Sequence, residues 1–223
     1  MANCLRAAAI FGAAVFGFSV AAHASTIVLT FEGLQDEEGI ANYYDGGLGA
    51  GGSGPGPSDG ITFSSNSLAL ISAAGGGGGN FSGNPSGNTV AFFLNGTGDI
   101  MNVSGGFTTG FSFFYASASQ ASTGSPGEVD VYSGPDGTGT LLASLTLDDT
   151  PDPYTSWVPV GVSFSGTAES VNFGGSANYI GFDNITLGAS TAAGAPEPAS
   201  MALLGAGLLG LGVARQVRRR RSR

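Results

Sequence analysis

A short acidic and aromatic segment, LDDTPDPYTSW at residues 147–157, carries side chains suited to ligand chemistry. It places Asp148, Asp149 and Asp152 beside Tyr154 and Trp157, the one tryptophan of the chain. Carboxylates that accept hydrogen bonds from sugar hydroxyls, next to rings that stack on sugar faces, are the components of a glycan-binding site. The alternative is a solvated turn beside a core tryptophan, because large aromatic side chains serve mainly in cores.

The composition of the central segment excludes several classes of function. The chain has 16 acidic and 7 basic residues, but all the basic residues and Glu197 lie outside residues 25–195. That segment therefore holds fifteen carboxylates and no Lys, Arg, His or Cys. Without cations it does not neutralise phosphates, which excludes nucleic-acid binding. Without His, Cys or Lys it has no common zinc site, Ser-His-Asp triad, catalytic thiol or Schiff base.

These carboxylates must be solvated, hydrogen-bonded to N–H and hydroxyl groups, or bound to an external cation. Calcium fits the last case, since it is a hard ion that takes several oxygen ligands. The simpler interpretation is a self-repelling, solvated surface that keeps the protein soluble. Two carboxylates also suffice to cleave a glycosidic bond, so a secreted carbohydrate-active enzyme is the alternative function. We favour a non-catalytic module, because no cation is available to orient a substrate or stabilise developing charge.

Alternating apolar residues predict that residues 25–188, here named the body, are all-β, with two glycine-rich stretches as interruptions. Val158, Val160, Val162 and Phe164 alternate with small or polar residues, and Leu141–Leu147 repeats the pattern. Residues 128–147 indicate a hairpin around a Gly, Pro and Asp turn. About ten short strands favour a jelly-roll-like β-sandwich, with flexible surface loops at 46–60 and 74–87. Further strands are predicted at residues 26–32, 60–64, 68–72, 89–94, 111–116, 169–173 and 179–187.

Both ends of the chain have the character of export signals. A basic start, an apolar run at residues 7–20 and small residues at Ala22 and Ala24 predict a signal peptide over residues 1–24. Residues 199–214 carry no charge and predict a helix about 24 Å long at ~1.5 Å per residue, which makes a short membrane span. The arginine-rich tail at 215–223 is expected to stay in the cytoplasm by the positive-inside rule.

The order of Pro196-Glu197-Pro198, a short apolar helix and an arginine cluster resembles the PEP-CTERM sorting domain of bacteria. That resemblance implies recognition by exosortase, a membrane-embedded cysteine protease-transpeptidase that cuts the tail near the Pro-Glu-Pro motif. The protein would be held transiently in the inner membrane and then move to the cell surface or the exopolysaccharide matrix. The resulting organisation is a signal peptide (1–24), an exported domain (25–188), a linker (189–195) and the sorting signal (196–223). The predicted membrane-stop residues are Arg215, Arg218, Arg219, Arg220, Arg221 and Arg223.

A metal site is suggested by a further resemblance. In β-sandwich carbohydrate-binding modules a structural calcium often joins an acid near the first strand to an acid near the last. By that resemblance, Glu32 and Asp183 are the predicted calcium ligands, and calcium is the one predicted cofactor. The apolar pattern changes phase across Asp183 and Asn184, which predicts a β-bulge that re-aims these side chains. The alternative is a pair of ordinary acids at strand ends.

Overall fold

Two antiparallel β-sheets pack face to face in the computed structural model, which describes residues 26–117, 127–175 and 177–194. One sheet has the order β3-β4-β11-β6-β9, with β1 also pairing with β11; the other has the order β2-β5-β10-β7-β8. The predicted all-β sandwich is confirmed. The strands are Ile27–Leu29 (β1), Ile61–Phe63 (β2), Ser67–Ile71 (β3), Thr89–Phe93 (β4), Gly98–Phe107 (β5), Gly110–Ser117 (β6), Gly127–Tyr132 (β7), Leu141–Leu147 (β8), Val158–Ser163 (β9), Ala168–Gly174 (β10) and Ile180–Leu187 (β11).

The two export signals lie outside the described residues. These are the signal peptide predicted at 1–24 and the sorting signal predicted at 196–223, with its helix at 199–214 and its arginine tail. Within the part of the chain that the structure describes, no helix has the length and apolar character needed to cross a membrane.

The core lies between the sheets and is rich in phenylalanine. Phe113 on β6 and Phe182 on β11 come from one sheet, and Phe173 on β10 comes from the other. Their ring centroids lie 4.9 to 6.1 Å apart in edge-on arrangements. All three are buried, and each contributes roughly 1.5–3 kcal/mol by its removal from water. Burial of apolar area therefore holds the sandwich together without disulfides.

Two features of the sheets differ from the sequence prediction. The ten-residue strand β5 was not predicted, because its inward Met101 and Val103 are flanked by glycines and polar residues that hide the alternation. Leu141 was predicted on the apolar face but is 51% exposed, whereas Leu142 packs against the core. The reason is a register shift between Val131 and Tyr132 on the partner strand β7, which changes the phase at the start of β8.

The outer face of the six-stranded sheet carries a smaller apolar cluster that the loops cover. Phe81, from the loop between β3 and β4, lies directly over Gly181 of β11. A Cβ at Gly181 would lie 2.6 Å from Phe81 Cε1, so glycine is required for this close approach. The buried members of this outer cluster are Leu70, Phe81, Val90, Phe92 and Ala116.

Candidate functional site

Carboxylates fasten both glycine-rich loops to the sandwich by accepting hydrogen bonds from backbone N–H groups. Glu38 Oε1 accepts the N–H of Gly51 at 2.7 Å and of Ser53 at 3.0 Å, in the loop predicted to be flexible at 46–60. Asp36 Oδ2 accepts the N–H of Gly78 at 2.7 Å, in the loop at 74–87. Hydrogen bonding to a charged acceptor is stronger than an ordinary hydrogen bond. Glu38 and Asp36 therefore serve as loop anchors, and Asp183 and Glu32 do the same.

Asp183 is the most deeply buried of these anchors. Its Oδ1 accepts the Ser86 hydroxyl at 2.8 Å and the Asn184 N–H at 2.7 Å, and its Oδ2 accepts the Ser86 N–H at 2.8 Å. Burial raises the pKa of Asp183 to about 7, although the hydrogen bonds from Ser86 and Asn184 act to lower it. The nearby charge of Glu32 raises this pKa further.

Glu32 holds the continuation of the same loop. Its Oε1 accepts the N–H of Asn88 at 2.9 Å and of Thr89 at 2.8 Å. The structure thus brings the two predicted metal ligands to adjacent parts of one segment, residues 86–89. Glu32 follows β1 and Asp183 lies on β11, far apart in the chain. They meet because β1 pairs with β11.

The predicted bulge lies where these ligands meet. The register of β11 against β6 shifts between Asp183 and Thr186, and Asn184 takes a positive φ of 49°. Asn184 is fully buried, and its Oδ1 has no hydrogen-bond partner among the described residues. Carboxylate oxygens are donors that calcium takes, whereas the Asn184 amide is directed to Ala193, to whose carbonyl its Nδ2 donates at 3.0 Å. The described residues contain no group of three or more acidic, His or Cys side chains arranged for a metal, so hydroxyl, carbonyl or water oxygens would have to complete the shell.

The aromatic residues of the 147–157 segment belong to the outer cluster. The Tyr154 ring meets Phe81 edge-on at 5.0 Å between centroids, and the Trp157 ring lies 5.9 Å from Phe81. Trp157 Nε1 donates to the Ser82 carbonyl at 3.0 Å. Trp157 therefore fastens the Phe81 loop to the sheet, whereas Tyr154 also lines an open pocket.

The acids of this segment point elsewhere. Asp152 accepts the Ser156 hydroxyl at 3.2 Å and stabilises the turn that follows it. Asp148 and Asp149 are exposed, and the Asp148 carbonyl accepts the Tyr115 hydroxyl at 3.1 Å. None of the three acids lines the Tyr154 pocket. The structure brings together only the two rings of the five predicted glycan residues.

A pocket of about 170 Å³ opens beside Tyr154 on the outer face of the six-stranded sheet. Leu94, which is 47% exposed, and the half-buried Tyr154 are its more accessible apolar residues, and buried members of the outer cluster line it as well. Glu37, Asn80 and Asn178 are exposed and supply its polar part. Sequence reasoning missed these three residues, because they come from three separate loops. The one available signal was the placement of Asn80 and Asn178 directly before aromatic residues.

A second depression of about 350 Å³ lies on the outer face of the five-stranded sheet. Asp45 and Glu169 line it, together with Thr62, Asn102 and Ser104. It holds two carboxylates, which is the minimum for glycoside hydrolysis. Asp45 is exposed and Glu169 is half-buried, so water reaches both carboxylates.

Comparison with known proteins adds the sorting signal. A family model described as the PEP-CTERM protein-sorting motif matches residues 195–220. The chain carries a C-terminal sorting signal. This match confirms the resemblance found at Pro196-Glu197-Pro198 and supports an exported protein that exosortase processes. It leaves the activity of the body open.

Several solved structures are similar to the body at low identity. The K2 cleaved adhesin domain of Lys-gingipain is 15% identical, with 73% of this chain and 99% of that chain covered and a TM-score of 0.47. A family 6 carbohydrate-binding module is 18% identical, with coverages of 56% and 85% and a TM-score of 0.38. A β-1,3-glucan-binding module of the same family from Bacillus halodurans is 18% identical, with coverages of 57% and 87% and a TM-score of 0.35. At these identities they carry no conclusion about activity. The search of curated proteins found no match.

Proposed function

We propose that the body is a non-catalytic glycan-binding module, which the sorting signal delivers to the cell surface or to the exopolysaccharide matrix. The observation that carries this proposal is the Tyr154 pocket. Tyr154 and Leu94 offer an apolar surface to the C–H face of a sugar ring. Asn80, Asn178 and Glu37 offer donors and acceptors for its hydroxyl groups.

The size of the pocket favours recognition of a short part of a polymer. Its volume of about 170 Å³ is below the ~300–1,000 Å³ of pockets that enclose drug-sized ligands. One or two sugar units would therefore be held at each site, with modest affinity. A polymer that offers many copies of the same unit would compensate through multivalent attachment. Glu37 is the one carboxylate that lines this pocket, so the paired acids of a glycosidase are not assembled there.

The test is binding of the purified exported protein to the exopolysaccharide of the producing cells, measured by affinity electrophoresis. Asn80→Ala and Tyr154→Ala should each weaken binding by about tenfold, equivalent to ~1.4 kcal/mol. Tyr132→Ala is the matched control, because Tyr132 is a half-buried tyrosine on the other sheet. Circular dichroism establishes that each variant is folded. Equal binding by wild type and by folded Asn80→Ala and Tyr154→Ala would contradict the assignment of the pocket.

The carbohydrate-active enzyme is the second candidate, and the depression at Asp45 and Glu169 is the observation that favours it. Incubation of the same polysaccharide with the purified protein should release no reducing ends if the module is non-catalytic. Release that disappears in Glu169→Gln and persists in Asn80→Ala would establish the enzyme instead.

We also propose that calcium binds where Glu32 and Asp183 meet residues 86–89. The proximity of the Glu32 charge to Asp183 and the absence of basic residues from the segment support this proposal. Bound calcium would fix the loop to β11 and neutralise two carboxylates that repel each other. A ligand at 100 times its dissociation constant stabilises the folded state by about 2.7 kcal/mol.

The calcium test is a thermal melt of the exported protein at pH 7, with calcium or with a chelator. Calcium should raise the melting temperature by several degrees, and this increase should be lost in Glu32→Gln and in Asp183→Asn. Asp36→Asn is the control, because Asp36 also accepts backbone N–H groups at this loop. Its partners are the N–H groups of Ile71 and Gly78, which neither Asp183 nor Glu32 contacts by a hydrogen bond. An unchanged melting temperature in the wild-type protein would contradict calcium binding at this site.

A further inference from the structure

The outer face of the six-stranded sheet is also covered, near β6 and β9, by the segment that leads to the sorting signal. After β11 ends at Leu187, the chain reverses direction at Gly188, where φ is 87°. The Gly188 N–H donates to the Gly110 carbonyl at 3.0 Å, and the Thr109 hydroxyl donates to the Gly188 carbonyl at 2.7 Å. Residues 189–193, here named the strap, then run back over the sheet. They lie within the predicted linker.

Buried polar side chains of the sheet hold the strap at both ends. The Ser112 hydroxyl donates to the Ala189 carbonyl at 2.9 Å. Asn184 Nδ2 donates to the Ala193 carbonyl at 3.0 Å, and the Ala193 N–H donates to the Thr186 hydroxyl at 3.2 Å. Ser112, Asn184 and Thr186 are all fully buried. Lifting the strap would take away hydrogen-bond partners from all three, which is costly for buried polar groups unless water replaces the strap.

Two glycines make the room in which the strap lies. A Cβ at Gly110 would lie 2.6 Å from Ser190 N and 2.8 Å from the Ala189 carbonyl carbon. A Cβ at Gly161 would overlap the Ser190 carbonyl oxygen. Neither glycine has a positive φ, so backbone conformation does not demand glycine at either position. The close approach of the strap requires glycine at both positions.

The strap lies directly before the sorting motif in the chain. Gly194 is exposed, and a Cβ placed on it would meet no atom within 4 Å. The PEP-CTERM match begins at residue 195. A protease binds its substrate as an extended, accessible backbone, so a docked segment is cut only when it opens locally. Cleavage within residues 189–193 therefore requires the strap to open, whereas the exposed Gly194 lies beyond the last hydrogen bonds of the strap, at Ala193.

We propose that the folded body limits where the sorting signal is processed, because the docked strap keeps the protease from cutting within residues 189–193. The strap then remains on the exported protein as its C-terminal segment and continues to cover Ser112, Asn184 and Thr186. This inference rests on the sorting motif and is independent of glycan binding.

The test expresses the full chain in the producing cells and determines the C-terminus of the exported protein by mass spectrometry. The wild-type protein should end at residue 194 or later. Gly110→Ala should displace the strap, because its Cβ would meet strap atoms, and termini within 189–193 should then appear. Gly105→Ala is the control, because Gly105 is also a strand glycine and its Cβ would meet nothing within 4 Å. A wild-type terminus within 189–193, or identical termini in wild type and exported Gly110→Ala, would overturn the proposal.

Digestion of the wild-type exported protein with elastase provides a measurement that does not depend on a variant. Elastase cuts after small residues, and cleavage after Ala189 or Ala192 falls within the strap. Cleavage there should be at least tenfold slower in the folded protein than in the same protein unfolded in urea that elastase tolerates. Equal rates would show that the strap is undocked in solution and would also overturn the proposal.

Discussion

At the scale of single residues, the protein buries carboxylates without any cation to pair with them. Asp99 resembles Asp183 in this respect: burial raises its pKa to about 6, although hydrogen bonds from the Ser67 and Ser64 hydroxyls act to lower it. Glu38 shows the opposite outcome. Burial would raise its pKa, but the N–H groups of Gln35, Ser53 and Gly51 and the Ser53 side chain together bring it below the ordinary value. The balance between burial and the hydrogen bonds that each carboxylate accepts, rather than an ion pair, decides which way its pKa shifts.

The buried acids predict how stability depends on pH when calcium is removed by a chelator. The pKa values of Asp99 and Asp183 are higher folded than unfolded, so the folded state binds more protons between about pH 4 and pH 7. The free energy of unfolding should therefore fall as the pH rises through this window. Glu38 has the reverse sign, and its contribution is lost as the pH falls below about 4.5. Urea denaturation at pH 4.5, 6.0 and 7.5 measures this dependence.

The matched variants for this measurement are Asp99→Asn and Asp148→Asn. Asp99→Asn removes one buried titrating group and should make the slope shallower. Asp148 is exposed, so its amide variant should leave the slope unchanged. A free energy of unfolding that stays level or increases from pH 4.5 to 7.5 in the wild-type protein would contradict this account.

At the scale of elements, the six-stranded sheet is covered on its outer face by loops and by the strap. Phe81 packs over Gly181 of β11, and the strap packs over Gly110 of β6 and Gly161 of β9. Glycine in a strand normally weakens it, because it has no side chain to pack and loses more backbone entropy. Here the cost is offset by the close approach of another segment. The position of Phe81, which lines the Tyr154 pocket, and the path of the strap at Ala189 and Ser190 both depend on strand positions that lack a Cβ.

The β11 strand connects these features. Its bulge at Asp183 and Asn184 sends the Asp183 carboxylate to the loop at Ser86 and the Asn184 amide to the strap at Ala193. Without the bulge, the inward positions before and after it would not fall on the same face of the sheet. One irregularity thus allows the last strand to fill the core and to anchor both covering segments.

At the scale of the whole molecule, the exported body carries fifteen carboxylates and no cation. A polyanion of like sign would be repelled, since charges on both partners are exposed and no positive patch attracts the polymer. The polar part of the proposed pocket also includes the carboxylate of Glu37. We therefore expect the ligand to be a neutral polysaccharide.

This expectation is tested by affinity electrophoresis against a neutral glucan and against alginate, at low ionic strength and with a chelator present. The glucan should retard the protein and show little dependence on salt. Alginate should give weak retardation that increases as added salt screens the repulsion, since the Debye length shortens from ~30 Å at 0.01 M to ~10 Å at 0.1 M. Tighter binding to alginate than to glucan at low salt would contradict the electrostatic argument.

The amount that could be predicted from the sequence differs between the fold and the site. The period-two patterns of β8 and β9, the hairpin of β7 and β8, and the phase change at Asp183 are local properties, and they appear in the structure. The strand β5 and the exposure of Leu141 were not predictable in this way, because both depend on register against neighbouring strands. The glycan residues divide similarly, since the segment containing Tyr154 was found but its partners Glu37, Asn80 and Asn178 lie far away in the chain.

The sequence by itself determined the all-β class, the absence of cations from the body and the sorting signal at the C-terminus. These follow from composition and from the order of short segments, which need no contact between distant residues. Only the tertiary structure decided that Glu32 and Asp183 hold one loop, that Tyr154 borders a pocket and that residues 189–193 lie docked on the sheet. Each of these depends on side chains and glycines from separate strands and loops meeting at one place, and only the folded chain establishes which ones meet.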